Sequence, residues 1–143
     1  AGSFSDADAL KGVTEGKGLF LVDLTQAEKT ALYLEIIEGT HAGMLRQGVK
    51  PDFVVVYIGP TVNFLTRAPS DELDMEFGEV LGRIQKSVKA LHGLGVRQEV
   101  CAIATKVFGV DNATLAPELK IVGDGFISLI GYQTQGYKLV PIY

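Results

Sequence analysis

Two near-continuous apolar runs, Gly18–Asp23 (GLFLVD) and Asp52–Ile58 (DFVVVYI), constrain this chain most. A strand that is apolar on both sides of its pleat must be covered on both faces, which is the situation of a parallel sheet flanked by helices. The segment between the runs has the other period. Thr25 opens a helix, and Glu28 three residues on completes a capping box. Ala27, Ala31, Leu34, Ile37, His41 and Met44 then fall on one helical face before Gly48 ends the element.

The alternation continues. Gly59–Pro60 stops the second strand, Thr61–Thr66 reads as a turn of helix, and a long helix spans about Glu72–His92. Phe77, Leu81, Ile84, Val88 and Leu91 form its apolar stripe, while Gly78 and Gly82, four apart, suggest close contact with a neighbouring backbone. Gly93 and Gly95 supply the stop. A third strand, Gln98–Ile103, leads into an irregular connection over Lys106–Pro117. A short strand at Leu119–Val122 follows, then the turn Gly123–Asp124–Gly125, a helix over Phe126–Gln135 and a last strand, Tyr137–Ile142. Pro141 has no N–H for a ladder, so this strand belongs at an edge. Residues 1–17 read as a polar arm outside the sheet, with a short helical segment at Ser5–Lys11. The expected architecture is a single α/β domain over residues 18–143, a three-layer α/β/α sandwich around a mostly parallel five-stranded sheet.

Several classes of function fall away. A net charge of −4 with no basic stripe argues against nucleic acid as a partner. No stretch approaches the roughly 20 apolar residues that cross a bilayer, so no membrane partner is expected. The turn after the first strand, DLTQAEKT, lacks glycine, and neither a GxGxxG nor a P-loop occurs. A nucleotide could use only helix N-termini and the turns Gly59–Pro60–Thr61 and Gly123–Asp124–Gly125, so no cofactor is expected. Nor is a metal: His41 sits on the apolar helical stripe, His92 in the last turn of its helix, and neither has ligand spacing with the other or with the cysteine. Asn112 heads an NAT triplet that reads as a chance sequon. No GxSxG elbow is present, although a cysteine–histidine pair meeting in space stays open.

What remains is Cys101, the lone cysteine, at a strand end where ligands collect in parallel α/β folds. Without a second cysteine, its sulfur chemistry must involve a ligand or another protein. The competing reading is packing, because free cysteines are among the most buried residues. For reactivity speak the turn that follows, whose N–H dipoles would favour a thiolate, and the nearby Lys106. Gly59, Thr61, Thr105, Lys106, Gly123 and Gly125 are the expected pocket residues, taken from strand ends.

The stretches PDFVVVYIGPTV, CAIATKVFGVDN and VGDGFISLIGYQTQGYKLVPI resemble the DsrE/DsrF-like family of small sulfur-relay proteins over residues 18–143. The tail carries the family-like LIxxQxxGY pattern, whereas the stretch after the cysteine departs from the CANT-like turn common in relatives. The resemblance implies a homo-oligomer (dimer, trimer or hexamer). It also implies a sulfur carrier or sulfurtransferase-like role without classical turnover, with Cys101 accepting sulfur as a persulfide and exchanging it with a thiol-bearing donor or acceptor protein. The alternative is a non-enzymatic oligomeric protein that binds a small ligand or a partner, with Cys101 structural. Similarity to exported relatives implies a periplasmic location with Ala1 left by signal-peptide removal; a cytoplasmic location is the alternative.

Overall fold

Each apolar run becomes a strand of one sheet in the computed structural model, which describes residues 4–143. In chain order the elements are β1 (Glu15–Val22), α1 (Ala27–Arg46), β2 (Lys50–Tyr57), a 3₁₀ turn (Gly59–Phe64), α2 (Asp71–Gly93), β3 (Arg97–Cys101), α3 (Ala102–Val107), β4 (Lys120–Val122), α4 (Gly125–Thr134) and β5 (Lys138–Ile142). All five strands are parallel, in the order β4-β3-β2-β1-β5. β5 lies at an edge and carries Pro141 opposite Leu21, where the missing N–H costs least.

The pleat divides the strands between two faces. On one, Phe53, Val55 and Tyr57 of β2 meet α1 and α2 in the main core, where Leu34, Ile84, Val88 and Leu91 are completely buried. Two of the buried polar side chains there pair with each other, while His41 Nδ1 has no partner among the described residues. The Tyr57 hydroxyl donates to Gln98 Oε1 at 2.7 Å, and Gln98 Nε2 donates to the Val88 carbonyl at 2.8 Å. Burial pushes the Tyr57 hydroxyl far above the usual phenol range. On the other face, Leu19, Val54 and Val56 pack with Tyr137 under Leu129 and Tyr132.

Local details depart from the sequence reading. The first helix begins at Ala27 with Gln26 as its N-cap, and no side chain caps it, so the Thr25–Glu28 box does not form. Thr30 instead donates its hydroxyl back to the Gln26 carbonyl at 2.9 Å. Gly78 and Gly82 meet no neighbouring backbone: a Cβ on Gly82 would stand in open space, and one on Gly78 would meet only Asp74 of the same helix. Ser5–Lys11 makes turns and not a helix, held by bonds such as Leu10 N–H to the Asp6 carbonyl at 3.0 Å. β3 stops at Cys101, two residues before the expected end, because the chain turns directly into α3.

Candidate functional site

Adjacent strands β3 and β4 send their chains to opposite faces of the sheet. After β3 the chain enters α3, whose Ala104 joins the core made by α1 and α2; after β4 it enters α4 on the other face. Such a divergence opens a crevice beyond the carboxyl ends of the strands, the usual ligand position in open parallel sheets. Cys101, the last residue of β3, stands in it as the N-cap of α3, and its side chain makes no capping hydrogen bond among the described residues.

The thiol is largely buried, at 6% exposure, yet it lines a cavity of about 330 Å³. Ile58 and Gly59 border this cavity from the end of β2, Ala104 and Phe108 from α3 and its end, and Phe126 from α4. Gly125, the first residue of α4, closes the back. A Cβ on it would stand 2.7 Å from Ile58 Cγ2, 3.0 Å from Cys101 Cβ and 3.4 Å from the thiol sulfur, so only glycine lets α4 seat here. Asp124 caps this helix, its Oδ1 accepting from the Phe126 N–H at 2.9 Å.

Glu99, two residues before Cys101, shares its face of β3 and ties down the same helix. Its two carboxylate oxygens accept the Ser128 and Tyr132 hydroxyls of α4, each at 2.6 Å, and the residue is 6% exposed. Burial and the adjoining Glu99 carboxylate push the Tyr132 hydroxyl up to about 12. The network extends along the sheet. Arg97 donates to the Tyr137 hydroxyl, which donates to Asp52 Oδ2 at 2.8 Å, and Lys17 lies 4.5 Å over the Tyr137 ring.

The residues expected around the thiol divide into two groups. Gly59 lines the cavity and Gly125 touches Cys101. Thr61 is completely buried, accepting the Leu24 N–H at 2.5 Å and donating to the Leu24 carbonyl, so it ties strand end to turn and does not face the cavity. Thr105 is buried and donates to the Ala102 carbonyl, Lys106 is exposed on α3 outside the lining, and Gly123 borders a neighbouring depression. Sequence reading missed Asp23 and Asp124, which both line the cavity. The signal that could have found them is positional: each lies one or two residues beyond a strand. His41 is buried on α1 with its ring 5.6 Å from Phe53, edge to face, and belongs to the main core side. Among the described residues, no three His, Cys, Asp or Glu side chains group as metal ligands would.

A separate apolar groove of about 630 Å³ runs between α1 and the β1–β5 edge, past Tyr33, Ile36 and Met44 on one side and Val140 on the other. No helix among the described residues is long and apolar enough to cross a membrane.

Fold and site together define a small parallel α/β protein built around a strand-end thiol. The chain belongs to the DsrE/DsrF-like family, whose model matches residues 17–142. Among solved structures it is similar to MTH1491 from Methanobacterium thermoautotrophicum, a protein of unknown function, at 19% identity and a TM-score of 0.65 over 90% of this chain and 99% of that one. The ychN protein from E. coli is similar at 13% identity and a TM-score of 0.63, over 89% and 99% of the two chains. BT1422 from Bacteroides thetaiotaomicron, also of unknown function, follows at 16% identity and 0.54, over 87% and 92%. These likenesses establish the fold. Among curated proteins no match to the chain is found.

Proposed function

We propose that this protein is a sulfur carrier in which Cys101 accepts a sulfur atom as a persulfide and hands it to a second thiol. The observation that carries this reading is the thiol's place, lining a cavity at the divergence of β3 and β4 in a chain of this family. The step balances without an outside oxidant. The Cys101 thiolate attacks the outer sulfur of a donor persulfide, R–S–S–H, a new S–S bond forms, and the donor leaves as the thiolate R–S⁻ with the electron pair of the broken bond. Release to an acceptor thiolate is the same exchange, with Cys101 as the leaving thiolate. Intact-mass spectrometry after incubation with a persulfide donor tests it. Expected is a gain of whole sulfur atoms that a reductant removes and that Cys101→Ser abolishes; a Cys101→Ser protein that still gains sulfur ends the reading.

The same reading includes a homo-oligomer. Phe126, Ile127 and Ile130 of α4 are each about two-thirds exposed, and adjoining apolar side chains of this kind mark an interaction surface. Light scattering is expected to find a multimer that Ile127→Asp dissociates, and a monomer at all concentrations would remove this part.

A second reading, a binding protein with a structural cysteine, is favoured by the apolar groove beside α1 and by the close packing of Cys101. Alkylation separates the two. A thiol that reacts only after unfolding would belong to the binding protein.

A further inference from the structure

The mouth of the Cys101 cavity carries charge of one sign only. Among the described residues Asp23 and Asp124 line it, and no lysine, arginine or histidine does. The Asp23 carboxylate lies over Gly59, where the backbone runs at φ +60° and a Cβ would overlap Oδ1. Among the described residues, neither Asp23 oxygen accepts a hydrogen bond or pairs with a cation, and Asp124 spends one oxygen on its helix cap. Around these carboxylates Ile103, Val107, Phe108 and Phe126 stand 41–70% exposed, an apolar rim without a partner.

We infer that the cavity selects a cationic sulfur partner: a thiol or persulfide on a polypeptide segment with a lysine or arginine beside its cysteine and apolar residues flanking it. This rests on Cys101 being the reacting sulfur, as proposed above. The unpartnered Asp23 carboxylate and the free oxygen of the capping Asp124 at the mouth repel anions such as thiosulfate, hydrosulfide or polysulfide and hold a cation, and the rim adds apolar burial. In the exchange, the donor's own cation sits against these carboxylates while its sulfur becomes the leaving thiolate. A second copy of this chain does not fit the role. Its Cys101 is followed by Ala102–Ile103–Ala104–Thr105 and framed by the same two acids, so two such mouths repel.

A pair of thiol reagents of like size and opposite charge tests this, trimethylammonium-ethyl and sulfonato-ethyl methanethiosulfonate. Their rates with Cys101 are normalised to their rates with a small free thiol. The expected cationic-to-anionic preference is about 10-fold at low salt, collapsing toward unity near 0.5 M salt, as steering by a local field requires. Asp23→Asn and Asp124→Asn, the latter still able to cap α4, should each cut the preference roughly threefold. Glu15→Gln removes the same charge at the opposite end of β1 and should leave it unchanged. A preference near unity, or an equal fall in Glu15→Gln, overturns the inference. So does a reagent block that appears with concentration as light scattering shows the rim closing against a second copy. Sulfur loading followed in parallel keeps the two readings apart. Loading without charge preference sinks this inference alone, whereas charge preference without loading sinks the sulfur-carrier reading and with it the sulfur partner, leaving only a cation-selective mouth.

Discussion

On one face of the sheet α1 and α2 bury Leu34, Ile84, Val88 and Leu91 completely; on the other, α4 and Tyr137 cover Leu19, Val54 and Val56. The first face is filled by apolar side chains at helical spacing. The second mixes a thin apolar layer with charged groups, Asp52, Arg97 and Glu99, and leaves Phe126, Ile127 and Ile130 facing outward. The difference teaches where each property resides. Burial on the α1–α2 face supplies stability, and the α4 face spends part of its surface on polar contacts that position a helix against a thiol.

Cavity-forming substitutions should break this asymmetry most visibly if it is wrong. Ile84→Ala, at a site with no exposed surface, is expected to cost about 2–5 kcal/mol in urea unfolding. Leu129→Ala, on the sheet-facing side of α4 and only partly buried, should cost below about 1.5 kcal/mol, since fewer contacts are lost and water can fill the space. Equal losses would mean that both faces carry the core.

Next in size is the Glu99 clamp. Glu99→Ala leaves the Ser128 and Tyr132 hydroxyls without their acceptor, an expected loss of about 1–3 kcal/mol. The more telling readout is local. Because Glu99 holds α4 and α4 closes the back of Cys101, alkylation of Cys101 should quicken more than the stability loss alone explains. An unchanged alkylation rate would separate the clamp from the site.

The two faces were also unequally legible in the sequence. Ala27, Ala31, Leu34, Ile37 and His41, like Leu81, Ile84, Val88 and Leu91, announce their burial by period, because a helix on a sheet must keep one stripe apolar. The strands showed themselves for the same reason. In α4 the run GFISLI is apolar almost all round, so period says nothing about which residues face the sheet and which face outward. Glu99 lies inside a strand where local sequence gives no hint that two α4 hydroxyls will reach it. Cys101 was visible through its place at a strand end, whereas Asp23 and Asp124 resembled ordinary loop acids until the divergence of β3 and β4 brought them to one cavity. Thr61 and Thr105 lie outside the cavity lining because each sits within the turn or helix that follows its strand and points inward to backbone groups, Thr61 to Leu24 across the fold and Thr105 to Ala102 of its own helix.

Alkaline unfolding sharpens the comparison on the α4 side. The Tyr132 hydroxyl is raised to about 12 in the folded protein by burial and by Glu99. The folded state therefore keeps a proton that the unfolded chain releases near pH 10. This stabilisation is complete below pH 10 and is lost as pH rises toward 12. With the side chain partly in solvent, screening reduces it to about 1 kcal/mol. Tyr132→Phe should flatten that part of the pH dependence, and an unaltered slope would assign the alkaline loss to Tyr57 and Tyr137, which are raised as well.

The smallest effect is expected on the outer surface of the α1–α2 layer, where Arg83 of α2 reaches Glu35 of α1 at 2.7 Å. The guanidinium hydrogen bond holds the Glu35 carboxyl below the usual carboxylate range. Any stabilisation from the pair is thus present above the ordinary range and lost as pH falls through the lowered value. Both side chains are nearly half exposed, however, and an exposed pair gives back most of its Coulomb attraction to solvent and side-chain entropy. Glu35→Gln should leave the urea midpoint unmoved at neutral pH and moderate salt. A clear fall would mean that the crossing of α1 over α2 is fixed by charge as well as by the packing of Leu34 and Ile37 against Ile84 and Val88, and the contrast between an apolar face and a polar one would then hold only for the layers nearest the sheet.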